Sequence, residues 1–507
     1  MHPLKADIVA ENELFLSLQE NFAPQYQAVF HDKMAAKTIV VIPSLTLDPV
    51  ILSKIEGIVH YEERLLCLLL LLRMPRTHVV YITSTPIDPI IIDYYLHLLP
   101  GITGDHARQR LHFFSCYDTS ACSLTEKILA RPRLIKHILQ SIPDGHLAHL
   151  ACFNVTDYER KLAVTLGLPV YGCNPDLLFW GTKSGSREIF RECGVDMPPG
   201  FENLKNEQQI IKALAELHLA DPSLRKAVVK INDGFSGEGN AVFSYSKITG
   251  KKNVEEQIRH LLPLELEIVA SDLTYDSFIQ KFSGIGGIVE AFIDGQHKTS
   301  PSVQCRINPL GKIDIISTHD QLMGGLDGQV FLGGTFPADN EYNIEIGKLG
   351  RKISAVMKEK GVLGRFGVDF LSVKEGDDWK HYAIEINLRK GGTTHPYIML
   401  QFLTNGDYNA ESGKYVLPNN EEKCYLFTDN LQDDCFRGLT PSDLMDIVML
   451  NHLHYDNTKE EGVMFHLIGA LSQYGKLGLV CIADSLERAK YFYDETIRVL
   501  KQECVSY

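Results

Sequence analysis

The stretch Gly361–Pro396, GVLGRFGVDFLSVKEGDDWKHYAIEINLRKGGTTHP, decides how the rest of the chain is interpreted. It contains two runs rich in β-branched and aromatic residues, Phe366–Val373 and His381–Leu388. The polar segment Lys374–Lys380 separates them. The pattern predicts a β-hairpin with long strands.

The polar residues of this hairpin fall on one face. A side-chain period of two places Glu385 and Asn387 together, with three apolar residues on the opposite face (Ile384, Ile386 and Leu388). Asp369 lies in the first strand, so hairpin pairing would bring its carboxylate beside Glu385. Two carboxylates and an amide oxygen form a set of ligands that suits Mg²⁺, or Mn²⁺.

Two cations, Arg389 and Lys390, follow the second strand directly, where the oxygens of a phosphate or a carboxylate would lie. The alternative is an ordinary hairpin with polar residues on its wet face. The remaining motifs of the chain have to decide between the two.

Length and composition bound the protein class. A chain of 507 residues predicts about three domains, and the 45% hydrophobic content is ordinary for a globular protein. The 50 Lys and Arg against 64 Asp and Glu give a net charge of −14, which argues against a partner such as nucleic acid. A local cationic pocket for a nucleotide remains compatible with this charge.

Cysteine spacing and hydropathy predict the compartment. The 11 cysteines include no C-x-x-C pair, which favours reduced thiols over a disulfide framework. The apolar run Leu65–Leu72 is too short to cross a bilayer, and Met1–Ala10 lacks the apolar core of a signal peptide. We therefore expect a cytoplasmic protein with no membrane partner.

Residues 1–175 alternate between short β-branched runs and helical stretches, starting with the strand Lys37–Ile42. This alternation predicts a parallel sheet built from βαβ units, which is a Rossmann-like domain. The loop Pro43–Asp48 after the first strand carries no G-x-G-x-x-G sequence, so this domain shows no fingerprint for a dinucleotide.

Two lysines follow in the middle of the chain. Lys183 lies near the start of a helix in Asp176–Gly200, where a solvated lysine is the alternative interpretation. Lys230 lies in a strand that enters the turn Asn232–Asn240, whose glycines (Gly234, Gly237 and Gly239) would let backbone N–H groups close over phosphates. Because this turn joins two strands, it fits a flap over a nucleotide better than a Rossmann turn.

The next strand, Gly287–Gly295, contains Glu290 and ends in an Asp294-Gly295 turn. A carboxylate and exposed backbone at a strand end can hold adenine and ribose hydroxyls, although a strand that merely finishes with Glu would look the same. An antiparallel layer with polar positions follows, and the helix Asn343–Lys360 leads back to the hairpin.

This order of motifs resembles the ATP-grasp superfamily of carboxylate–amine ligases over roughly residues 176–400. Within it, Thr393–Pro396, Gly333–Ala338 and Val463–Ala489 look most similar to the pheganomycin-type peptide ligase group. The implied fold is a multidomain α/β and α+β protein. It would have a Rossmann-like domain at 1–175, an ATP-grasp domain at 176–400 and a small α+β cap at 401–507.

The resemblance implies roles for individual residues. Lys183 and Lys230 match the lysines that contact ATP phosphates, and Arg389 matches the arginine on the transferred phosphate or acyl intermediate. The flap would contribute Gly234, Ser236, Gly237 and Gly239, and the adenine-side hinge Glu290, Ala291 and Phe292, with Asp294 as a weaker ribose candidate. Asp369, Glu385 and Asn387 match the Mg²⁺ ligands.

The implied reaction is ATP-dependent amide formation from a small-molecule carboxylate and an amine, an amino acid or a peptide, through an acylphosphate with release of ADP and phosphate. Arg306 and the segment Thr393–His395 are candidates for contacts to the carboxylate substrate. His395 could instead be a base for the amine or a structural histidine.

Other interpretations stay open. The chain could be an ATP-binding regulatory protein with a grasp fold and no ligation, or another ATP-grasp enzyme such as a carboxylate kinase. The C-terminal segment could shape the substrate pocket or form the contact of a homodimer.

Overall fold

The computed structural model describes residues 5–30, 32–43, 45–47, 49–233, 239–270, 272–324 and 330–505. No helix within these ranges combines the length and the apolar character needed to cross a membrane.

The N-terminal part of the chain forms a parallel sheet with helices packed on it. Its strands are β1 (Lys37–Ile42), β2 (Thr77–Thr83), β3 (Leu111–Ser115) and β4 (Ala148–Cys152), in the spatial order β3-β2-β1-β4. Its helices are α1 (Lys5–Val29), α2 (Pro49–Lys54), α3 (Pro89–His97), α4 (Gly104–Arg108), α5 (Leu124–Leu129), α6 (Pro132–Gln140) and α7 (Asp157–Leu166). All three strand pairings are parallel, which confirms the predicted Rossmann-like layer.

Proline separates two helices in this part. Helices α5 and α6 are divided at Arg131-Pro132, because proline has no N–H and disfavours a helical residue before it. The apolar run at 65–72 lies in a 3₁₀ segment, Ile58–Arg73, and most of its leucines are fully buried in the core.

The second sheet is antiparallel and carries the middle of the chain. Its strands are β5 (Gly200–Leu204), β6 (Lys226–Ile231), β7 (Asn240–Ser244), β8 (Leu266–Ile268) and β9 (Gly287–Ala291), in the order β5-β9-β6-β7-β8. The helices of this region are α8 (Lys183–Cys193), α9 (Glu207–Ala220), α10 (Val254–Glu265) and α11 (Tyr275–Ile285). A separate apolar core beneath this sheet makes it a layer of its own.

The third sheet contains the hairpin and the C-terminal strands. Its members are β10 (Lys298–Thr299), β11 (Pro301–Ile307), β12 (Ile313–Gly324), β13 (Val330–Phe336), β14 (Gly364–Glu375), β15 (Asp378–Asn387), β18 (Cys424–Gln432), β19 (Gly462–His466) and β20 (Lys476–Ala483). A small ribbon pairs β16 (Asp407–Asn409) with β17 (Lys414–Val416). The helices here are α12 (Asn343–Glu359), α13 (Thr394–Thr404), α14 (Pro441–Leu450), α15 (Leu471–Tyr474) and α16 (Leu486–Val505).

The third sheet contains strands from both of the predicted domains 176–400 and 401–507. It runs β10-β14-β11-β12-β13-β18-β20-β19, with β15 also paired to β14. Because β13 pairs antiparallel with β18, the sheet continues across residue 400 into the C-terminal segment. That segment extends the sheet that carries the hairpin, and it shares an apolar core with the N-terminal layer.

Helix α12 lies close to this sheet because glycine faces the strand beneath it. A Cβ at Gly350 would stand 2.7 Å from Cγ1 of Val303, whereas a Cβ at Gly347, one turn earlier, meets no atom within 4 Å. Both glycines are buried in the same helix.

Alanine at these two positions should therefore have opposite effects. Gly347→Ala should stabilise the protein by up to about 1 kcal/mol, since alanine favours a helix over glycine. Gly350→Ala should destabilise it by about 1–3 kcal/mol through overpacking against β11. Thermal unfolding of the two variants beside the wild type measures the difference, and equal midpoints would show that α12 does not pack this closely.

Candidate active site

The predicted hairpin forms, and its register brings the two carboxylates together. Asp369 of β14 pairs directly with Glu385 of β15, and Gly367 pairs with Asn387. Nδ2 of Asn387 donates to Oδ2 of Asp369 at 2.7 Å, and Nε2 of Gln321 donates to Oδ1 at 2.8 Å. The three predicted metal ligands therefore lie in one group.

A β-bulge modifies the alternation expected for β15. The register shifts between Asp369 and Phe370, so one residue of β15 has no opposite partner. Ile386 and Leu388 are buried beneath the hairpin as predicted, but Ile384 is only half-buried. The bulge keeps Glu385 and Asn387 on the polar face.

Electrostatics distinguish the two carboxylates. Burial and the neighbouring Glu385 raise the pKa of Asp369 to about 6. Burial acts to raise the pKa of Glu385, but Lys183, Lys230 and Arg389 together more than offset it, and the net pKa lies below the ordinary value. The negative charges of Asp369 and Glu385 repel each other, and a bound cation would reduce this repulsion.

Lys183 connects the second sheet with the third. Its Nζ lies 2.5 Å from Oε1 of Glu385. It is the first residue of α8, where Thr182 caps the helix by accepting from the N–H of Gly185 at 3.0 Å. The backbone N–H of Lys183 donates to the carbonyl of Asn232 at 3.1 Å, so the start of α8 is fixed against the end of β6.

The ammonium group of Lys230 forms an ion pair with the buried carboxylate of Glu290. Its Nζ lies 2.6 Å from Oε1 of Glu290, and Nη1 of Arg187 lies 3.1 Å from Oε2 of the same group. Arg187 also contacts Glu202 at 3.1 Å. The carboxylate of Glu290 thus acts within the protein as the partner of two cations.

The other two residues of the predicted hinge, Ala291 and Phe292, also make contacts within the protein. The N–H of Ala291 donates to the carbonyl of Pro199 at 2.7 Å, and the N–H of Phe292 donates to the carbonyl of Lys226 at 3.1 Å. The Phe292 ring is half-buried, with Nζ of Lys298 4.8 Å from its centre. Asp294 is exposed.

The guanidinium of Arg389 donates through Nη1 to the carbonyl of Lys390 at 3.2 Å. Burial lowers its pKa, and the charges of Glu385 and Asp369 oppose that effect. Lys390, expected beside it, points elsewhere: its Nζ donates to the carbonyl of Cys152 and its N–H to that of Phe153 at 3.1 Å. Lys390 therefore anchors the end of the hairpin to the N-terminal sheet.

Arg306 is separate from this group. It lies four residues along β11 from Ser302, which pairs with Asp369, a distance of about 13 Å at the rise of a β-strand. Its guanidinium is bonded to Asp314 at 2.7 Å. The structure does not bring Arg306 to the carboxylates.

Part of the predicted flap lies outside the described residues, namely Gly234, Ser236 and Gly237. Gly239 is described and buried, and its carbonyl accepts from the N–H of Ile231 at 2.9 Å. The strands on both sides of the flap, β6 and β7, pair antiparallel as predicted.

Sequence reasoning missed three supporting residues. Arg187 lies one helical turn after Lys183 and thus on the same face of α8, a spacing that could have identified it. Asn232 accepts from both the N–H and Oγ of Ser184, at 3.0 and 2.6 Å. Gln321 reaches Asp369 only because β12 pairs with β11 and β11 pairs with β14, an order that local sequence does not reveal.

Comparisons with known proteins agree with this arrangement. The family model described as "IQCH-like, ATP-grasp" matches residues 177–268 and 269–411, and the one described as "PGM1 C-terminal domain" matches residues 443–496.

Two curated relatives match almost the whole chain. L-propargylglycine--L-glutamate ligase of Streptantibioticus cattleyicolor is 27% identical over 470 residues, which cover 91% of this chain and 93% of that protein. IQ motif-containing protein H of Danio rerio is 21% identical over 553 residues, which cover 99% of this chain. The chain spans about half of that second protein, 51%.

A solved structure shares the fold. The biotin carboxylase domain of the Hydrogenobacter thermophilus 2-oxoglutarate carboxylase, crystallised with MgADP, ADP and bicarbonate, superposes with a TM-score of 0.54 at 12% identity. The superposition covers 91% of this chain and 89% of that one. The fold is thus shared with this structure, and residues 177–411 are similar to the ATP-grasp family model.

Proposed function

We propose that this protein is an ATP-dependent carboxylate–amine ligase that forms an amide bond through an acylphosphate. The observation that carries the proposal is the convergence of Asp369, Glu385 and Asn387 with the cations Lys183 and Arg389. Similarity to an amino-acid ligase over nine-tenths of both chains supports it and favours amino acids as the carboxylate and the amine.

The group of carboxylates fits Mg²⁺. Asp369 and Glu385 offer hard oxygen ligands, and Asn387 donates through Nδ2, which leaves its carbonyl oxygen as the third ligand. Burial and the charge of Glu385 both raise the pKa of Asp369, and a bound cation would favour its ionised form. When bound there, Mg²⁺ would neutralise phosphate charge on ATP.

The chain's own residues would position and neutralise the reactants. A carboxylate oxygen of the first substrate attacks the γ-phosphorus of ATP, and ADP leaves with the electrons of the broken P–O bond. We propose that Lys183 and Lys230 bind the phosphates and that Arg389 holds the transferred group. The amine then attacks the acyl carbon, phosphate leaves, and the amine's proton passes to a base.

This chemistry needs no covalent link to the enzyme, but it does need water kept away from the acylphosphate. We propose that the turn at 232–240 closes over the nucleotide for that purpose, and that Phe292 and the backbone of Ala291 lie on its adenine side. We also propose the domain limits 1–175, 176–400 and 401–507, with the last segment completing the sheet of the catalytic hairpin.

A second candidate function is nucleotide binding without ligation. The match to IQ motif-containing protein H covers 99% of this chain, and the name of that protein states no reaction. This match favours the nucleotide-binding function. The two functions share the phosphate-binding residues and differ in whether an amide forms.

Amide formation should depend on the two paired carboxylates. Incubation with Mg-ATP and pairs of amino acids should give one new amide by mass spectrometry for each ADP. Asp369→Asn and Glu385→Gln should each lower kcat/KM by about 10²–10³, the usual loss when a group that stabilises the transition state is removed. The control Asp378→Asn, at an exposed carboxylate of the same strand, should stay within about twofold of the wild type.

Hydroxylamine in place of the amine separates the two candidate functions. A ligase should convert the trapped acylphosphate to a hydroxamate that depends on ATP and the carboxylate. ADP binding without hydroxamate or amide across all twenty amino acids and their dipeptides would contradict the ligase proposal and favour the nucleotide-binding function.

Nucleotide affinity should depend on Lys183. Lys183→Met removes a charge from the phosphates and leaves Glu385 without its partner at 2.5 Å. We expect the Kd for Mg-ADP, measured by calorimetry, to rise by about 10–100-fold. Lys212→Met, which alters an exposed lysine 3.7 Å from Glu216, should leave the Kd unchanged, and an equal effect of the two variants would refute a phosphate contact at Lys183.

A further inference from the structure

A second group of polar side chains lies outside the carboxylate site. It consists of His395 at the start of α13, Asp429 in β18 and His466 at the end of β19. Their side chains are 1%, 6% and 0% exposed, so water does not solvate them. We call this group the His–Asp–His cluster.

The three side chains direct one atom each at a common point. Nε2 of His466 lies 2.8 Å from Oδ1 of Asp429, and Nε2 of His395 lies 3.2 Å from the same oxygen. The two Nε2 atoms are 3.0 Å apart. Three donor or acceptor atoms thus form a nearly equilateral triangle.

Protons alone do not satisfy this triangle. If both imidazoles carry a proton on Nε2, two N–H groups face each other across 3.0 Å. If only one carries it, the lone pair of the other Nε2 faces a carboxylate oxygen or the imidazole nitrogen without a proton between them. With Asp429 as a carboxylate, each of these arrangements leaves one of the three close contacts with two protons or with none, in a place where unsatisfied polar groups are costly.

A metal ion removes the conflict, because both imidazoles and the carboxylate then present lone pairs to one cation. The three atoms lie on a circle with a radius of about 1.7 Å, so an ion with the ~2.0–2.1 Å bonds of zinc would sit about 1 Å out of their plane. Two nitrogens and one oxygen suit Zn²⁺ and its neighbours, and they do not suit Mg²⁺.

The surroundings support a built site. Nη1 of Arg64 lies 3.4 Å from Oδ2 of Asp429, which orients the carboxylate and leaves Oδ1 for the cluster. Gly478 faces His466 across the strand pair, and a Cβ there would stand 2.1 Å from Nε2. Only glycine at this position leaves room for the imidazole.

We propose that the His–Asp–His cluster binds one divalent transition-metal ion, with Zn²⁺ as the best fit and a water in the remaining position. The ion would join the segment that follows the catalytic hairpin to two C-terminal strands. It would be distinct from Mg²⁺ at Asp369 and Glu385, and the proposal does not depend on the ligase activity.

Metal analysis tests this directly. Full-length protein is stripped with 1,10-phenanthroline in a Mg²⁺ buffer, reconstituted with Zn²⁺ or Co²⁺, desalted and analysed by plasma mass spectrometry. We expect about one Zn²⁺ or Co²⁺ per chain, visible d–d absorption of the Co²⁺ form, and a lower Tm after stripping. Less than about a tenth of an equivalent after reconstitution, with no such absorption, would overturn the proposal.

Matched variants locate the ion. His466→Gln and Asp429→Asn should lose the stoichiometric metal, while Glu385→Gln should keep it. His319→Gln is the control, because His319 is also fully buried in this sheet but bonds only to Tyr425, at 2.7 Å, among the described hydrogen bonds. Unchanged metal content in folded His466→Gln protein would refute this location, and if that variant does not fold, the wild-type Co²⁺ measurement decides.

Discussion

The contact between Lys183 and Glu385 links the two sheets that together make the site. One partner begins α8, whose first N–H is bonded to Asn232 at the end of β6, and the other belongs to the hairpin of the third sheet. Asp369 lies directly opposite Glu385, so without a cation the hairpin would hold two negative charges side by side. The ammonium of Lys183 offsets part of that repulsion, and a metal ion with its nucleotide phosphates would change the balance again. The site is therefore arranged as a set of charges whose balance alters when a ligand binds.

Burial decides which of these charges are available to a ligand. Arg187 is 2% exposed and Glu290 is 4% exposed, and both are committed to internal ion pairs. Such pairs cost much desolvation, so removing one partner is far more harmful than their net contribution suggests. They fix the direction in which Lys230 extends, and this explains the place of Glu290 within β9, a strand that the sequence predicted as part of the nucleotide site. Glu290 therefore lies at the predicted nucleotide site, but its carboxylate pairs with Lys230 and Arg187 within the protein.

The sequence predicted local features well and distant pairings poorly. Alternation within Gly361–Pro396 was enough to pair Asp369 with Glu385, because a hairpin brings nearby residues together. The separation of Arg306 from Asp369 follows from the register of β11 against β14, which local patterns do not encode, and its contact to a carboxylate substrate stays a prediction. The sequence predicted that the C-terminal segment is a small α+β cap. In the structure this segment extends the third sheet through the pairing of β13 with β18. Gln321 and Arg64 acquire their contacts only through such long-range strand order.

The same long-range order explains why the hairpin can be both exposed to a ligand and rigid. The chain leaves β15 at Arg389, turns at once toward the N-terminal sheet through Lys390, and enters α13 at the His–Asp–His cluster. Three separate parts of the protein thus hold a run of seven residues, from Arg389 to His395. The role proposed for Arg389, holding the transferred phosphate, needs a fixed position more than it needs additional charge. The two anchors that follow it, the half-buried Lys390 and His395 of the His–Asp–His cluster, supply that position.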